Sequence, residues 1–217
     1  MYWVMKSSTF QVAGWVVDVV GRTMLDGIVL VKNGFIEDII PCDTGSNCYL
    51  LPGFIDAHIH VESSLLTPSS FAKIALSHGT IASVSDPHEI ANVLGVEGVR
   101  YMIRNGESVP FKFCFGVPSC VPATIFEASG AVLNKEHVEE LFIKDGLSYL
   151  SEMMNYPGVV NGELSVCAKL DLAKRLGVPV DGHAPGLTGD ALKKYVSSGI
   201  STDHECFTLV EAFMTVS

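Results

Sequence analysis

From residue 51 onward the chain alternates short β-prone runs with helical stretches, and this alternation limits the fold more than any other feature. Strand candidates fall at 54–58, 80–85, 111–117, 148–152, 179–182 and 200–203. A strand recurring every ~20 to 35 residues with a helix between is the pattern of βαβ units on a parallel sheet. The helices carry their own punctuation. Thr67-Pro68 supplies an N-cap and a first-turn proline, and Gly79 closes that helix. Asn134 can cap 135–144, which Gly146 follows; 164–176 ends at Gly177 and Pro179; 192–198 ends at Gly199. The expected class is α/β, a TIM-like (β/α) barrel. A closed barrel takes eight units and typically about 250 residues, so the six units in residues 51–217 predict an incomplete one.

Residues 1–50 have a different texture. The run Val16-Val17-Asp18-Val19-Val20 is followed by Gly27-Ile28-Val29-Leu30-Val31, and Lys32-Asn33-Gly34 turns into Phe35-Ile36-Glu37-Asp38-Ile39-Ile40. An Asn-Gly step between such runs is a strong hairpin signal. The reading is a small antiparallel β-module, too small to be stable alone with any assurance.

Composition narrows the class of molecule. At 217 residues and 48% hydrophobic, the chain can bury a substantial core. No apolar run reaches the roughly 18 residues of a membrane span. Residues 1–20 carry one Lys and are interrupted by Gln11 and Asp18, a poor secretory signal. A formal net charge of −10 argues against a nucleic-acid surface. Six cysteines without a CxxC pair read as reduced, structural thiols, and Cys120 among them is expected to be structural. The chain is expected to be cytoplasmic and to have neither nucleic-acid nor membrane partners.

The chemistry-bearing residues sit at the ends of the strand candidates. His58 and His60 are two apart on one strand, so both side chains leave the same face. Taken alone, a His-x-His pair is a modest metal signal. Here Glu152 ends the fourth strand candidate, His183 follows the fifth and His204 the sixth. In barrels of this kind the functional groups come from the C-terminal ends of several strands and meet in one mouth. Imidazole and carboxylate donors without thiolate suit Zn²⁺, Mn²⁺ or Fe²⁺. Asp86, His88 and Glu89 follow the second strand at the same end and are candidates for substrate contact or for a further ion; Glu62, Ser63 and Ser64 follow the first and are candidates to order the loop or touch substrate. A plain alternative makes Asp86-Pro87 a turn and puts His88 and Glu89 in the first turn of a helix. Asp203, next to His204, is a candidate to orient a ligand. His78 and His137 read as surface residues, and Met153-Met154 as packing.

Several long segments carry a family likeness. The run from Leu51-Pro52-Gly53-Phe54 through Asp56-Ala57-His58-Ile59-His60 resembles the first-strand signature of the amidohydrolase superfamily, and its Glu62-Ser63-Ser64 ending is the version of the adenine-deaminase branch. The likeness continues through Asp86-Pro87-His88-Glu89-Ile90-Ala91-Asn92, Pro118-Ser119-Cys120, Glu152-Met153-Met154-Asn155, Asp181-Gly182-His183-Ala184-Pro185-Gly186 and Thr202-Asp203-His204-Glu205. The resemblance implies a binuclear centre. His58 and His60 would hold one ion, His183 and His204 the other, and Glu152 would bridge them where many relatives use a carboxylated lysine. It implies Mn²⁺ or Fe²⁺, with Zn²⁺ an option, and hydrolytic deamination of adenine to hypoxanthine and ammonia, with Glu152 and His204 as catalytic groups. A homo-oligomer is implied for the full-length form.

One departure stands out against that family pattern. Amidohydrolases use an aspartate at the end of strand eight as metal contact and proton shuttle, whereas this sequence stops at Ser217, inside what should be the sixth helix. The expectation is a fragment of an adenine deaminase with little activity of its own. Two other readings stay open: another amidohydrolase acting on cyclic amides, and a non-catalytic remnant that binds metal or another subunit.

Overall fold

A computed structural model describes residues 8–124 and 126–216. The chain divides into two compact units, Met1–Phe54 and Ile55–Ser217.

The first unit is a four-stranded sheet of order β3-β2-β1-β4, made of β1 (Thr9–Asp18), β2 (Thr23–Lys32), β3 (Phe35–Pro41) and β4 (Tyr49–Leu50). β1 and β2 pair antiparallel from Thr9↔Lys32 to Asp18↔Thr23, and β2 and β3 pair antiparallel with a register shift at Leu30/Val31. The Asn-Gly turn behaves as its sequence requires: Asn33 has φ 53 and Gly34 φ 82, the two left-handed residues of a type I′ hairpin turn. The valine run expected to continue to Val20 stops at Asp18. The Asp18 carboxylate accepts hydrogen bonds from the Val20 and Gly21 amides at 3.0 and 2.8 Å and so bends the chain into a turn.

The second unit holds six strands, β5 (Phe54–Ile59), β6 (Thr80–Ser85), β7 (Lys112–Phe115), β8 (Leu150–Met153), β9 (Val180–Gly182) and β10 (Thr202–Asp203). Their order is β5-β6-β7 in one sheet and β8-β9-β10 in another. The β6–β7, β8–β9 and β9–β10 pairs are parallel. A parallel bridge between Val117 and Leu150 connects the two sheets, with Val117 N donating to Tyr149 O and Ser151 N to Val117 O, both at 2.9 Å. Among the described residues the strands therefore follow one another in chain order, as βαβ connections dictate. Gly182 is fixed by close approach, because a Cβ there would lie 2.6 Å from the Thr202 carbonyl oxygen of the neighbouring strand.

The helices between the strands are α1 (Pro68–Ser77), α2 (His88–Leu94), α3 (Val96–Gly106), α4 (Lys135–Lys144), α5 (Tyr156–Asn161), α6 (Leu164–Leu176), α7 (Gly189–Ser197) and α8 (Leu209–Val216). Asn134 caps α4 through the amide of His137, whose ring accepts from the Asn134 amide in return. That reciprocal pair gives His137 a structural task on the exposed surface. Thr67 occupies the N-cap of α1, but its hydroxyl turns to Ser69 and Ser70 rather than to the backbone. Helices and strands enclose a core of Val99, Val117, Leu141, Leu150, Met153, Leu172 and Tyr195, all at most 1% exposed. Burial of this kind contributes about 25 cal/mol per Å² of apolar surface. Among the described residues no helix is long and apolar enough to cross a membrane.

Candidate metal centre

Seven residues deliver the side chains of one cluster. His58 lies in β5 and His60 just beyond it, Asp86 follows β6, His88 opens α2, Glu152 lies in β8, His183 follows β9 and His204 follows β10. Glu152 is the hub, only 2% exposed. Its two oxygens face different imidazoles. Oε1 lies 3.4 Å from His60 Nε2 and 3.4 Å from His88 Nδ1. Oε2 lies 3.6 Å from His58 Nε2, 3.2 Å from His183 Nδ1 and 3.0 Å from His204 Nε2. His58 and His60 meet edge to edge, Nε2 to Nε2 at 3.1 Å, and the His58 and His204 rings stack 3.5 Å apart.

The remaining ring nitrogens are held from behind. Asp181 Oδ2 lies 3.2 Å from His58 Nδ1 and 3.3 Å from His204 Nδ1, and the Asp86 carbonyl lies 3.0 Å from His60 Nδ1. Such contacts fix the tautomer and aim the other nitrogen at the centre. Asp181 is a functional residue that the reading of the sequence gave no role. The signal was present: Asp181 lies in β9 and His183 comes two residues later, so alternation puts them on one face. Asp203, the expected orienting carboxylate, instead accepts a hydrogen bond from the Glu205 amide at 2.9 Å. As the immediate neighbour of His204 it leaves the strand on the opposite face, which is why Asp181 takes the task.

Burial and charge compete across the cluster. Burial works to raise the Glu152 carboxyl, but the bonds of His183 and His204 and the fields of His60 and His88 hold it well below the usual range. Asp181 is likewise lowered against the pull of burial, by His204, His58 and Thr202. Burial would lower the imidazoles. At His204 the carboxylates of Asp181 and Glu152 outweigh it and raise the ring to about 10, and at His88 the bond and charge of Asp86, with Glu152 and Glu89, raise it to about 9. His183 is raised chiefly by its bond to Glu152. Carboxylate charge therefore dominates the centre, and that is the field that attracts a cation.

The residues after β5 form a turn, Val61–Ser64, tied to α2 rather than to the hub. The Ser63 hydroxyl donates to Glu89 at 2.7 Å, Glu62 Oε1 accepts from the Ile90 amide at 3.2 Å, and burial raises the Glu62 carboxyl. His88 and Glu89 do lie in the first turn of a helix, and His88 reaches the hub from there. Cys120 is buried among core residues, with Ser119 Oγ donating to its sulfur at 3.2 Å. His78 is exposed at the end of α1.

The donors fit a metal ion. Three atoms of this region, Glu152 Oε2, Asp86 Oδ1 and Glu62 Oε2, are buried without a properly formed hydrogen bond, although ring nitrogens crowd around the first. Buried charge of this kind is costly unless it is paired or coordinates a cation. Among the described residues three sets place their ligand atoms within 4.8 Å of one another: His60, Asp86, His88 and Glu152; His58, Glu152 and His204; and His183, His204 and Glu205.

The sequence model described as the Amidohydrolase family matches residues 49–216. An adenine deaminase of Salinibacter ruber (strain DSM 13855 / M31) is 55% identical over 205 residues, covering 94% of this chain and 38% of that protein. An adenine deaminase of Sulfurovum sp. (strain NBC37-1) is 55% identical over 195 residues, covering 90% of this chain and 37% of that protein. The chain thus spans less than two-fifths of the length of these relatives. In fold it is similar to the crystal structure of N-acetyl-D-glucosamine-6-phosphate deacetylase from Mycobacterium smegmatis, with a TM-score of 0.53 at 14% identity, over 88% of this chain and 54% of that one.

Proposed function

Since the chain belongs to the amidohydrolase family, whose members are divalent-metal-dependent hydrolases, we propose that it contributes the metal centre of an enzyme that deaminates adenine to hypoxanthine and ammonia. The fold reading that goes with it is six of the eight strand–helix units of a (β/α) barrel, preceded by a β-module of about residues 1–50. The observation that carries the functional reading is the hub: one buried carboxylate, Glu152, with five imidazoles around it. Relatives named adenine deaminase at 55% identity supply the substrate class.

In this reading His58 and His60 would hold one ion and His183 and His204 the other, with Glu152 shared between them. The ions are Mn²⁺ or Fe²⁺, with Zn²⁺ compatible with the same donors. A divalent ion bound by these residues would supply Lewis acidity and a water that is nucleophilic near pH 7. The chain's own groups do the rest. Asp181 holds His58 and His204 in orientation through their Nδ1 atoms. Glu152 and His204, 3.0 Å apart, are the catalytic groups of this reading: water's oxygen becomes the 6-oxo group, and these groups pass one of its protons to ring N1 and the other to the 6-amino group, which leaves as ammonia. Glu62, Ser63 and Glu89 meet the purine from the turn after β5 and the start of α2.

The test joins this chain to the remaining length of the Salinibacter ruber relative and measures adenine turnover with metal present. Hypoxanthine should form, and Glu152→Gln should lower the rate by at least ~10²-fold. Turnover of cyclic amides but not of adenine, or a Glu152→Gln variant of unchanged rate, overturns the reading.

A further inference from the structure

The Oε1 side of Glu152 contains more donors than the binuclear reading uses. We propose that Asp86 and His88 are metal ligands, and that with His60 and Glu152 they form a complete divalent-cation seat separate from the one on the Oε2 side. The proposal rests on the reading of the cluster as a metal centre, moves His60 away from the ion of His58 because the two face different oxygens of Glu152, and assigns two residues that their place in the sequence suggests for substrate contact.

The geometry carries it. His60 Nε2 and His88 Nδ1 each stand 3.4 Å from Glu152 Oε1, and Asp86 Oδ2 stands 3.2 Å from His88 Nδ1. Four donors at about 2.0–2.1 Å from a tetrahedral ion lie about 3.3–3.4 Å from one another. The three measured separations are close to that edge length, and all four ligand atoms lie within 4.8 Å of one another. The orientation of the seat is fixed from outside it. The Asp86 carbonyl occupies His60 Nδ1 at 3.0 Å, which leaves Nε2 for the ion. Asp86 is 1% exposed and its Oδ1 has no hydrogen-bond partner. A carboxylate so buried and so poorly satisfied by protein donors is what a cation would stabilise.

The opposite side is built from other residues. His58, His183 and His204 surround Oε2, and Asp181 backs two of them. One carboxylate thus separates two donor sets that share no imidazole. The Oε1 set has two carboxylates and two imidazoles, a mixed oxygen and nitrogen donor set suited to a divalent ion that accepts oxygen ligands.

Metal content and Mn²⁺ electron paramagnetic resonance of the purified chain test the assignment. Wild type should bind two Mn²⁺ that are magnetically coupled. The Asp86→Asn/His88→Gln variant should keep one, with the spectrum of an isolated ion, and its lost seat should bind at least ~100-fold more weakly. His183→Ala should keep the Oε1 ion and lose the other. His88→Cys, which still offers a ligand, should keep two ions and shift the preference of one from Mn²⁺ toward Zn²⁺; a merely structural histidine would give no such shift. Far-ultraviolet circular dichroism establishes that each variant is folded. Two tightly bound ions in the Asp86→Asn/His88→Gln variant overturn the proposal and leave the metal centre standing, as does loss of both ions together in that folded variant. No metal in wild type overturns the centre itself.

Discussion

The two units of this chain place apolar and charged residues in opposite ways. In residues 8–54 the sheet leaves large apolar side chains in the open: Phe35 is 77% exposed and Ile36 65%, and Val29 is the one buried apolar side chain larger than alanine among the described residues of that unit. From Ile55 onward the strands bury Leu150 and Met153 completely, and beside them they bury charge, with Asp86 1% and Glu152 2% exposed. The first arrangement is what a short antiparallel sheet does, since it lacks helices on its faces. The second is what parallel strands do when helices cover them, and it forces polar groups at strand ends to find partners in a place poor in water. Chemistry gathers where burial makes isolated charge costly, so the candidate metal centre belongs to the second unit.

That contrast predicts separate responses to change. Both tryptophans of the sequence, Trp3 and Trp15, fall in the first unit, and all described helices fall in the second. Tryptophan fluorescence therefore follows one unit and far-ultraviolet circular dichroism the other. Leu150→Ala empties a fully buried position and should cost about 2–5 kcal/mol in the helical transition, leaving the fluorescence transition in place. Coincident shifts in both signals would mean that the units unfold as one.

Metal should act on the same transition with a somewhat smaller effect. An ion present at 100 times its dissociation constant should stabilise the second unit by about 2.7 kcal/mol and be without effect on the first, and a chelator should reverse the gain. Denaturant curves with and without Mn²⁺, followed by both signals, decide this. Tyr195→Phe should cost a little less. The Tyr195 hydroxyl accepts from the His183 amide at 2.9 Å and donates to the Met153 carbonyl at 2.8 Å, in a fully buried position. Its loss leaves two backbone groups unsatisfied, worth about 1–3 kcal/mol. Because that amide belongs to His183, metal affinity should fall as well, by about 10-fold or more. Unchanged affinity at reduced stability would make Tyr195 a packing residue only.

The sequence made some of this legible and hid the rest for physical reasons. The strand at Thr80–Ser85 and the helix at Leu164–Leu176 lie where β-branched runs and the Gly177 stop put them. α3 was not legible as a helix, and of α2 only the first turn at His88 and Glu89 was offered, as an alternative. Gly95 divides them into short pieces, and Gly98 interrupts the apolar period because any larger residue would strike the Ile90 carbonyl oxygen 2.8 Å away. Glycine there serves packing between two helices, which a single-sequence period does not reveal. His58 and His60 announce themselves through alternation on one strand. The link between Glu152 Oε1 and His88 does not, because it joins β8 to the first turn of a helix 64 residues earlier in the chain, and only the tertiary fold brings them to 3.4 Å.

The smallest predicted effect is the sharpest test of the contrast. Ile36 in β3 faces Val31 of β2 across the ladder and is 65% exposed. Replacing it with threonine keeps the β-branch, and with it most of the strand preference, and changes only the apolar character of the surface. A substitution at an exposed position away from caps and turns shifts stability by about 0.5 kcal/mol or less. Ile36→Thr should therefore leave the fluorescence transition within that range, whereas the same loss of apolar surface at a buried position such as Leu150 would cost several times more. Denaturant titration of the purified variant measures it directly. A cost above about 2 kcal/mol would be the signature of a buried side chain. The sheet face around Ile36 would then be covered in solution, and the first unit would bury its apolar residues much as the second does.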